Sequence, residues 1–265
     1  MGLPAHFIDI VEKEEPPVIR IENLTKSFGE QEVLRGVSLQ VNSGEFVALV
    51  GMSGSGKSLL LRHLVRLMRP DSGRVLVDGR DVGKMPRYEL EALRSRVGYV
   101  FQSGALFDSI NVFDNVAFPL REKTRLSETV IRQKVMEELD QVGLKDVEHK
   151  YPAELSGGML KRVALARTLV RAPEIILFDE PTTGLDPIVV NSILNLFDSV
   201  HKRLKLTGIL VSHEIPEIFG IVQKIAMLHE GVIAAVETPE NIHHSQNPVI
   251  AQFVAGKPDG PIRYR

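Results

Sequence analysis

The sequence predicts an α/β fold in two lobes, and three observations carry that expectation. Short apolar runs recur at Phe46–Val50, Ile175–Phe178, Gly208–Ser212 and Ile225–Leu228, each continuous rather than alternating, as strands buried on both faces are. Helix-forming stretches separate them, which favours parallel strands joined by crossovers. From about 103 to 165 no strong strand signal remains and helical periodicity takes over, so a helical insertion interrupts the pattern.

Taken in order, residues 1–17 end in Glu14-Glu15-Pro16-Pro17 and read as a loosely held lead-in. Val18–Ile21 and Gly36–Val41 alternate apolar with polar, the pattern of half-buried antiparallel strands, and Arg74–Gly79 reads as a further strand ending at a turn. Leu59–Leu67 is rich in helix formers and lacks Gly and Pro, so a helix should follow the Phe46–Val50 strand. Within the insertion, Ser127–Val142 has the clearest helical period. Glu230-Gly231 should turn the Ile225–Leu228 strand into Val232–Ala235. From Pro239 the prolines at 248, 258 and 261 suggest an irregular tail beyond a short helix near 247–254.

Composition excludes several functions. The chain has 265 residues, 43% hydrophobic and 25% charged, ordinary values for a globular protein with a full core. With 32 basic and 34 acidic residues its net charge of −2 gives no electrostatic case for nucleic acid as a partner. Without Cys there is no disulfide, thiolate metal site or cysteine nucleophile, which fits a reducing compartment. No apolar run approaches the roughly 20 residues that cross a bilayer, and the acidic start (Asp9, Glu12, Glu14) lacks the apolar core of a signal peptide. The expected location is cytoplasmic, with any membrane role arising through a partner.

Between the Phe46–Val50 strand and the helix after it lies Gly51-Met52-Ser53-Gly54-Ser55-Gly56-Lys57-Ser58, the spacing G-x-x-x-x-G-K-[ST]. Strand, glycine loop and helix aim backbone N–H groups and a helix N-terminus at one anion, and the glycines let the backbone approach phosphate oxygens. Lys57 would reach the β- and γ-phosphates and the Ser58 hydroxyl would sit on Mg²⁺. The pattern predicts nucleoside triphosphate binding. Ile175–Phe178 ends in Asp179-Glu180, and strands of a parallel sheet open onto the ligand crevice at their C-terminal ends. Asp179 suits Mg²⁺, and Glu180 suits a base for the attacking water. Many strands end in acids, so this pair gains its meaning from the glycine loop.

Leu155-Ser156-Gly157-Gly158-Met159, followed by Lys161-Arg162 and a helical stretch Val163–Arg171, lies shortly before those acids. Here the sequence resembles the ATP-binding cassette (ABC) ATPases, whose signature is L-S-G-G-Q, over about 18–240 and on several motifs in order. The resemblance implies a P-loop, RecA-like core with an antiparallel β subdomain, a helical subdomain (about 103–165) carrying the signature, and a C-terminal extension at 241–265. It implies that Gln102 contacts Mg²⁺ and links the ATP site to the helical lobe, that Thr183–Asp186 is the D-loop, and that His213 touches the γ-phosphate. It implies that Phe28 stacks on adenine where Tyr is usual; the residue could instead be core. Met159 departs from the usual Gln, which puts a side-chain contact in doubt but leaves the backbone N–H groups of Ser156–Gly158. His243-His244 reads as a solvated pair rather than a metal site. The family geometry further implies a head-to-tail dimer, each ATP lying between Gly51–Ser58 of one chain and Ser156–Gly158 of the other.

Non-transport ABC proteins usually fuse two cassettes or carry long coiled-coil insertions, and neither is present. A solute importer or a division-linked ATPase remains an alternative. Phe101–Leu120, with Q-S-G-A-L-F and N-V-F-D-N-V, is similar to the ATPases of MCE-type lipid transporters, the Mla group, as are L-S-G-G-M and the terminal Asp259–Tyr264. That similarity implies phospholipid movement between inner and outer membranes. The implied partners are a second ATPase subunit, a permease, a periplasmic MCE-domain protein and often a STAS-domain protein, with this chain peripheral on the cytoplasmic face of a bacterial inner membrane. Composition alone favours a free, solvated tail, whereas the similarity implies that Phe253, Ile262 and Tyr264, with Arg263 and Arg265 at the rim, clasp the second subunit.

Overall fold

The computed structural model describes residues 16–213, 215 and 217–263. Most of the lead-in, with Tyr264 and Arg265, lies outside the described residues.

Two sheets carry the fold. The first is antiparallel, in the order β2-β1-β4-β5, from β1 (Ile19–Phe28), β2 (Gln31–Val41), β4 (Ser72–Val77) and β5 (Arg80–Asp81). The strands expected at Val18–Ile21 and Gly36–Val41 do pair antiparallel, with Ile19 opposite Val41 and Ile21 opposite Leu39. Both run further than their alternation showed, because register shifts along β1 break the period of two. The second sheet has the order β10-β9-β3-β8-β7-β6. Its parallel strands are β3 (Phe46–Val50), β6 (Val97–Val100), β7 (Ile175–Asp179), β8 (Thr207–Val211) and β9 (Lys224–His229); β10 (Val232–Glu237) closes one edge antiparallel.

The continuous apolar runs have a direct cause. Phe46, Ala48, Val50, Ile176, Phe178, Leu210, Ile225 and Met227 face one core, with the helices of the insertion. Their alternates Val47, Leu49, Ile175, Leu177, Ile209, Val211, Ala226 and Leu228 face a second core, against the antiparallel sheet. Both pleat faces are dry, so neither admits polar residues.

The predicted helix at Leu59–Leu67 is α1 (Lys57–Leu64); it stops short because the chain turns at Arg66, at φ 50. α2 (Arg87–Arg96) was not anticipated. The insertion holds α3 (Val112–Lys123), α4 (Glu128–Gln141) and the start of α5 (Gly157–Leu169), packed on one another with no strand. α6 (Pro187–Leu204) follows β7. The short helix expected near 247–254 is α8 (Pro248–Ala255), and a further short helix, α7 (Pro239–Ile242), precedes it; each begins at a Pro in the first turn, where a missing N–H costs nothing. The Gln252 amide then donates to Ile262 O (3.1 Å) and accepts from Ile262 N (2.7 Å), burying Ile262 at 4% exposure in the chain's own core. Ile262, expected to reach a neighbour, is therefore already used within the chain.

Candidate active site

The glycine loop leaves β3 and enters α1 through backbone that only glycine tolerates. Gly51 has φ 148, and a Cβ there would lie 2.2 Å from the Leu228 carbonyl oxygen. Gly56 has φ 101 and would press its Cβ on Leu34 at 2.9 Å. As N-cap of α1, Gly56 offers no side chain to the first-turn N–H groups. Gly54, at φ 76, sits at the exposed crest beside Ser53, and the Ser55 hydroxyl is buried without a partner. The Lys57 ammonium, 3% exposed, donates to Gly51 O and Met52 O at 2.9 Å each and lies 3.8 Å from Glu180. Burial holds its pKa below the usual lysine value, with Glu180 and Asp179 pulling the other way. Ser58 follows in the first turn of α1, half-buried.

At the end of β7 the two carboxylates part ways. Asp179 Oδ2 accepts from the Tyr99 hydroxyl at 2.9 Å, whereas Oδ1 is buried with no partner. Glu180 turns out of the strand at φ 47, held by its N–H to Val211 O at 3.1 Å. Its Oε2 lies 3.4 Å from both Gln102 Nε2 and Thr183 Oγ1. Lys57, Gln102, Glu180 and His213 thus line one cleft of about 630 Å³, together with Gly51, Met52 and Ser53.

The signature stands apart from that cleft. Ser156 is the N-cap of α5, its hydroxyl accepting from Met159 N at 3.4 Å. Neither it nor Gly157 nor Gly158 lines the cleft with Lys57. A Cβ on Gly158 would meet Val189 at 2.8 Å and one on Gly157 would meet Leu185 at 3.0 Å, so these glycines also admit the α6 entry. Asp186 caps that helix, accepting from Val189 N at 3.1 Å. Phe28 is 50% exposed at the end of β1, which excludes the core reading; Lys26 lies over its ring at 5.6 Å from the centroid.

A family model described as "ABC transporter" matches residues 34–183, more than half of the chain. The chain belongs to the ABC transporter family. MlaF of Haemophilus influenzae, an intermembrane phospholipid transport system ATP-binding protein, is 42% identical over 248 residues and 94% of each chain. A probable ribonucleotide transport ATP-binding protein, mkl, of Mycobacterium leprae is 41% identical over 92% of this chain and 70% of its own. A dimeric ATP-binding cassette solved in a post-hydrolysis state with ADP and Pi superposes with a TM-score of 0.76 at 32% identity, covering 83% of this chain and 98% of that one. The ABC assignment carries ATP binding and ATPase activity with it.

In this ABC ATPase, residues outside the motifs hold the loops of the cleft in place. Lys161 donates to Gln102 O, and Arg167 donates to Gly104 O and Ala105 O at 2.7 Å each, so α5 grips the loop that carries Gln102. Asn115, fully buried, accepts from Phe107 N at 2.8 Å and donates to Phe107 O at 3.0 Å, tying the next segment to α3. Phe253, Val254 and Ala255 of α8, with Gly256 after it, form another wall of the cleft, a contact from the far end of the chain that no local pattern signals. His243 packs edge-on against Phe219. Among the described residues no group of three or more His, Cys, Asp or Glu could hold a metal by itself. Mg²⁺ usually arrives with phosphates and needs only one or two protein oxygens. The orphaned Asp179 Oδ1 fits that demand, with the Ser58 hydroxyl beside the loop.

Proposed function

We propose that this ABC ATPase powers phospholipid transport between two membranes, in the manner of the Mla systems. The observation that supports this cargo is length-matched similarity: MlaF of H. influenzae aligns over 94% of both chains. The relative named for probable ribonucleotide transport aligns over 70% of its own length and supplies the competing reading. In this reading the cassette docks on a separate permease; no helix among the described residues is long and apolar enough to cross a membrane. Its place is the cytoplasmic face of the inner membrane, with an MCE-domain and a STAS-domain protein completing the assembly. The exposed Phe107 and Phe118, with ring centroids 4.8 Å apart, supply an apolar docking surface beside the Gln102 loop. The test is purification from native membranes followed by mass spectrometry of bound proteins and lipids. Phospholipid and an MCE-type partner are expected. A solute-binding protein, with ATPase activity in nanodiscs stimulated by ribonucleotide and not by phospholipid, would overturn the cargo.

In the proposed mechanism the backbone of Gly51–Ser58 holds the ATP phosphates, Lys57 transfers its donors from Gly51 O and Met52 O to the β/γ-phosphates, and Phe28 stacks on adenine. Asp179, Ser58 and Gln102 would hold Mg²⁺, which neutralises phosphate charge when bound. Glu180 takes a proton from water, whose oxygen bonds to the γ-phosphorus as the bond to the ADP oxygen breaks. His213 contacts the γ-phosphate from the β8 end. Ser156, Gly157 and Gly158 of a second copy close the site, with Asp186 at the same interface. ATP thereby joins the two copies, and loss of the γ-phosphate lets them part.

A further inference from the structure

Tyr99 lies on β6, the edge strand of the parallel sheet, three positions before Gln102. Its ring stacks on Phe101 at 4.2 Å between centroids, and its hydroxyl donates to Asp179 Oδ2 at 2.9 Å. Asp179 is 5% exposed, and this is the one hydrogen bond found for its carboxylate among the described residues; Oδ1 stays free. A carboxylate with one oxygen anchored cannot rotate about its Cβ–Cγ bond without breaking that anchor. We propose that Tyr99 is a positioning residue for the magnesium ligand Asp179, fixing Oδ2 so that Oδ1 is presented to the metal–nucleotide complex. A phenol is a proton donor throughout the neutral range. Partners behind a metal ligand typically change metal affinity by about 10- to 100-fold when removed.

The inference rests on Asp179 holding Mg²⁺, and the experiment separates the two. Tyr99→Phe keeps the ring and its stack while deleting the donor. Mn²⁺ binding is titrated by EPR on the full chain with a non-hydrolysable ATP analogue, and analogue binding is repeated in EDTA. The expected result is a loss of Mn²⁺ affinity of about 10-fold, unchanged metal-free analogue binding and an equal rise in the Mg²⁺ concentration for half-maximal hydrolysis. Unchanged Mn²⁺ affinity in Tyr99→Phe overturns the inference, and so does equal loss of metal and metal-free binding, which marks a merely structural role. Asp179→Asn is the control: if it too leaves Mn²⁺ affinity unchanged, the metal assignment itself fails.

Discussion

Two helix N-termini were assigned to phosphate from sequence, and the structure treats them differently. α1 begins at Gly56 in left-handed backbone, with no side-chain cap, behind a loop whose glycines at φ 148, 76 and 101 admit no Cβ without strain. α5 begins at Ser156, which caps the helix with its own hydroxyl and is exposed. The first terminus has no side-chain cap on its N–H groups. The second is capped by its own Ser156, which suits the half-site proposed to be completed only in the dimer. Met159 fits this difference: its backbone N–H serves the Ser156 cap, and its side chain packs on the core instead of reaching toward a ligand.

The largest effect should come from the chemistry on the α1 side. Glu180→Gln removes the base but keeps the shape, so hydrolysis should slow by about 10²–10⁴-fold with ATP binding intact. ATP-bound dimer should accumulate on gel filtration, the state in which both helix termini share phosphate. Hydrolysis at the wild-type rate would sink the assignment of Glu180. The division between chains is tested by complementation. Lys57→Ala damages a chain's own half-site and Ser156→Arg damages the half-site it offers its partner, so a mixture contains dimers with one intact site. Hydrolysis absent from either variant alone should return in part. Hydrolysis by a protein shown to be monomeric would break the comparison outright.

A smaller effect follows from Lys57. Its lowered pKa means that burial outweighs the pull of Glu180 and Asp179, so the charged ammonium destabilises the nucleotide-free chain. The sign follows from proton counts: between the lowered folded pKa and 10.5 the unfolded chain binds the extra proton, so wild-type stability should rise with pH across that window. Lys57→Met should lack that rise and melt no lower than wild type at neutral pH, while losing ATP binding. Thermal melts of both proteins across an alkaline pH series check this. A Lys57→Met protein that melts well below wild type at pH 7 would show that the hydrogen bonds to Gly51 O and Met52 O dominate instead.

Much of this was legible in the sequence because the motifs encode backbone constraints. Gly51 and Gly56 are required by close contacts with Leu228 and Leu34, and the dry strands read as continuous apolar runs because both their faces are covered. What escaped notice depends on long-range packing. Tyr99 meets Asp179 only because β6 lies beside β7, and its strand is too short to stand out. Lys161 and Arg167 look like ordinary helix cations until the loop carrying Gln102 folds onto them. The helix near 247–254 was legible, but the burial of Ile262 was not, since the Gln252–Ile262 bonds join residues that no periodic pattern links.

The smallest effect sharpens the comparison most directly. Ser156→Ala removes the α5 cap and leaves α1 untouched. N-cap loss typically costs about 0.5–2 kcal/mol, and an exposed cap with a 3.4 Å bond belongs at the low end. The melting temperature should fall by roughly 1–4 °C for a chain of this size. Binding of ATP to the monomer should be unchanged, because the first half-site is complete without α5. Dimerisation of the Glu180→Gln background with ATP should weaken modestly, since backbone N–H groups still reach the phosphate but the hydroxyl no longer does. If Ser156→Ala lowers monomer affinity for ATP as much as it weakens the dimer, the two termini act within one chain, and the contrast between an open and a self-capped helix loses its meaning.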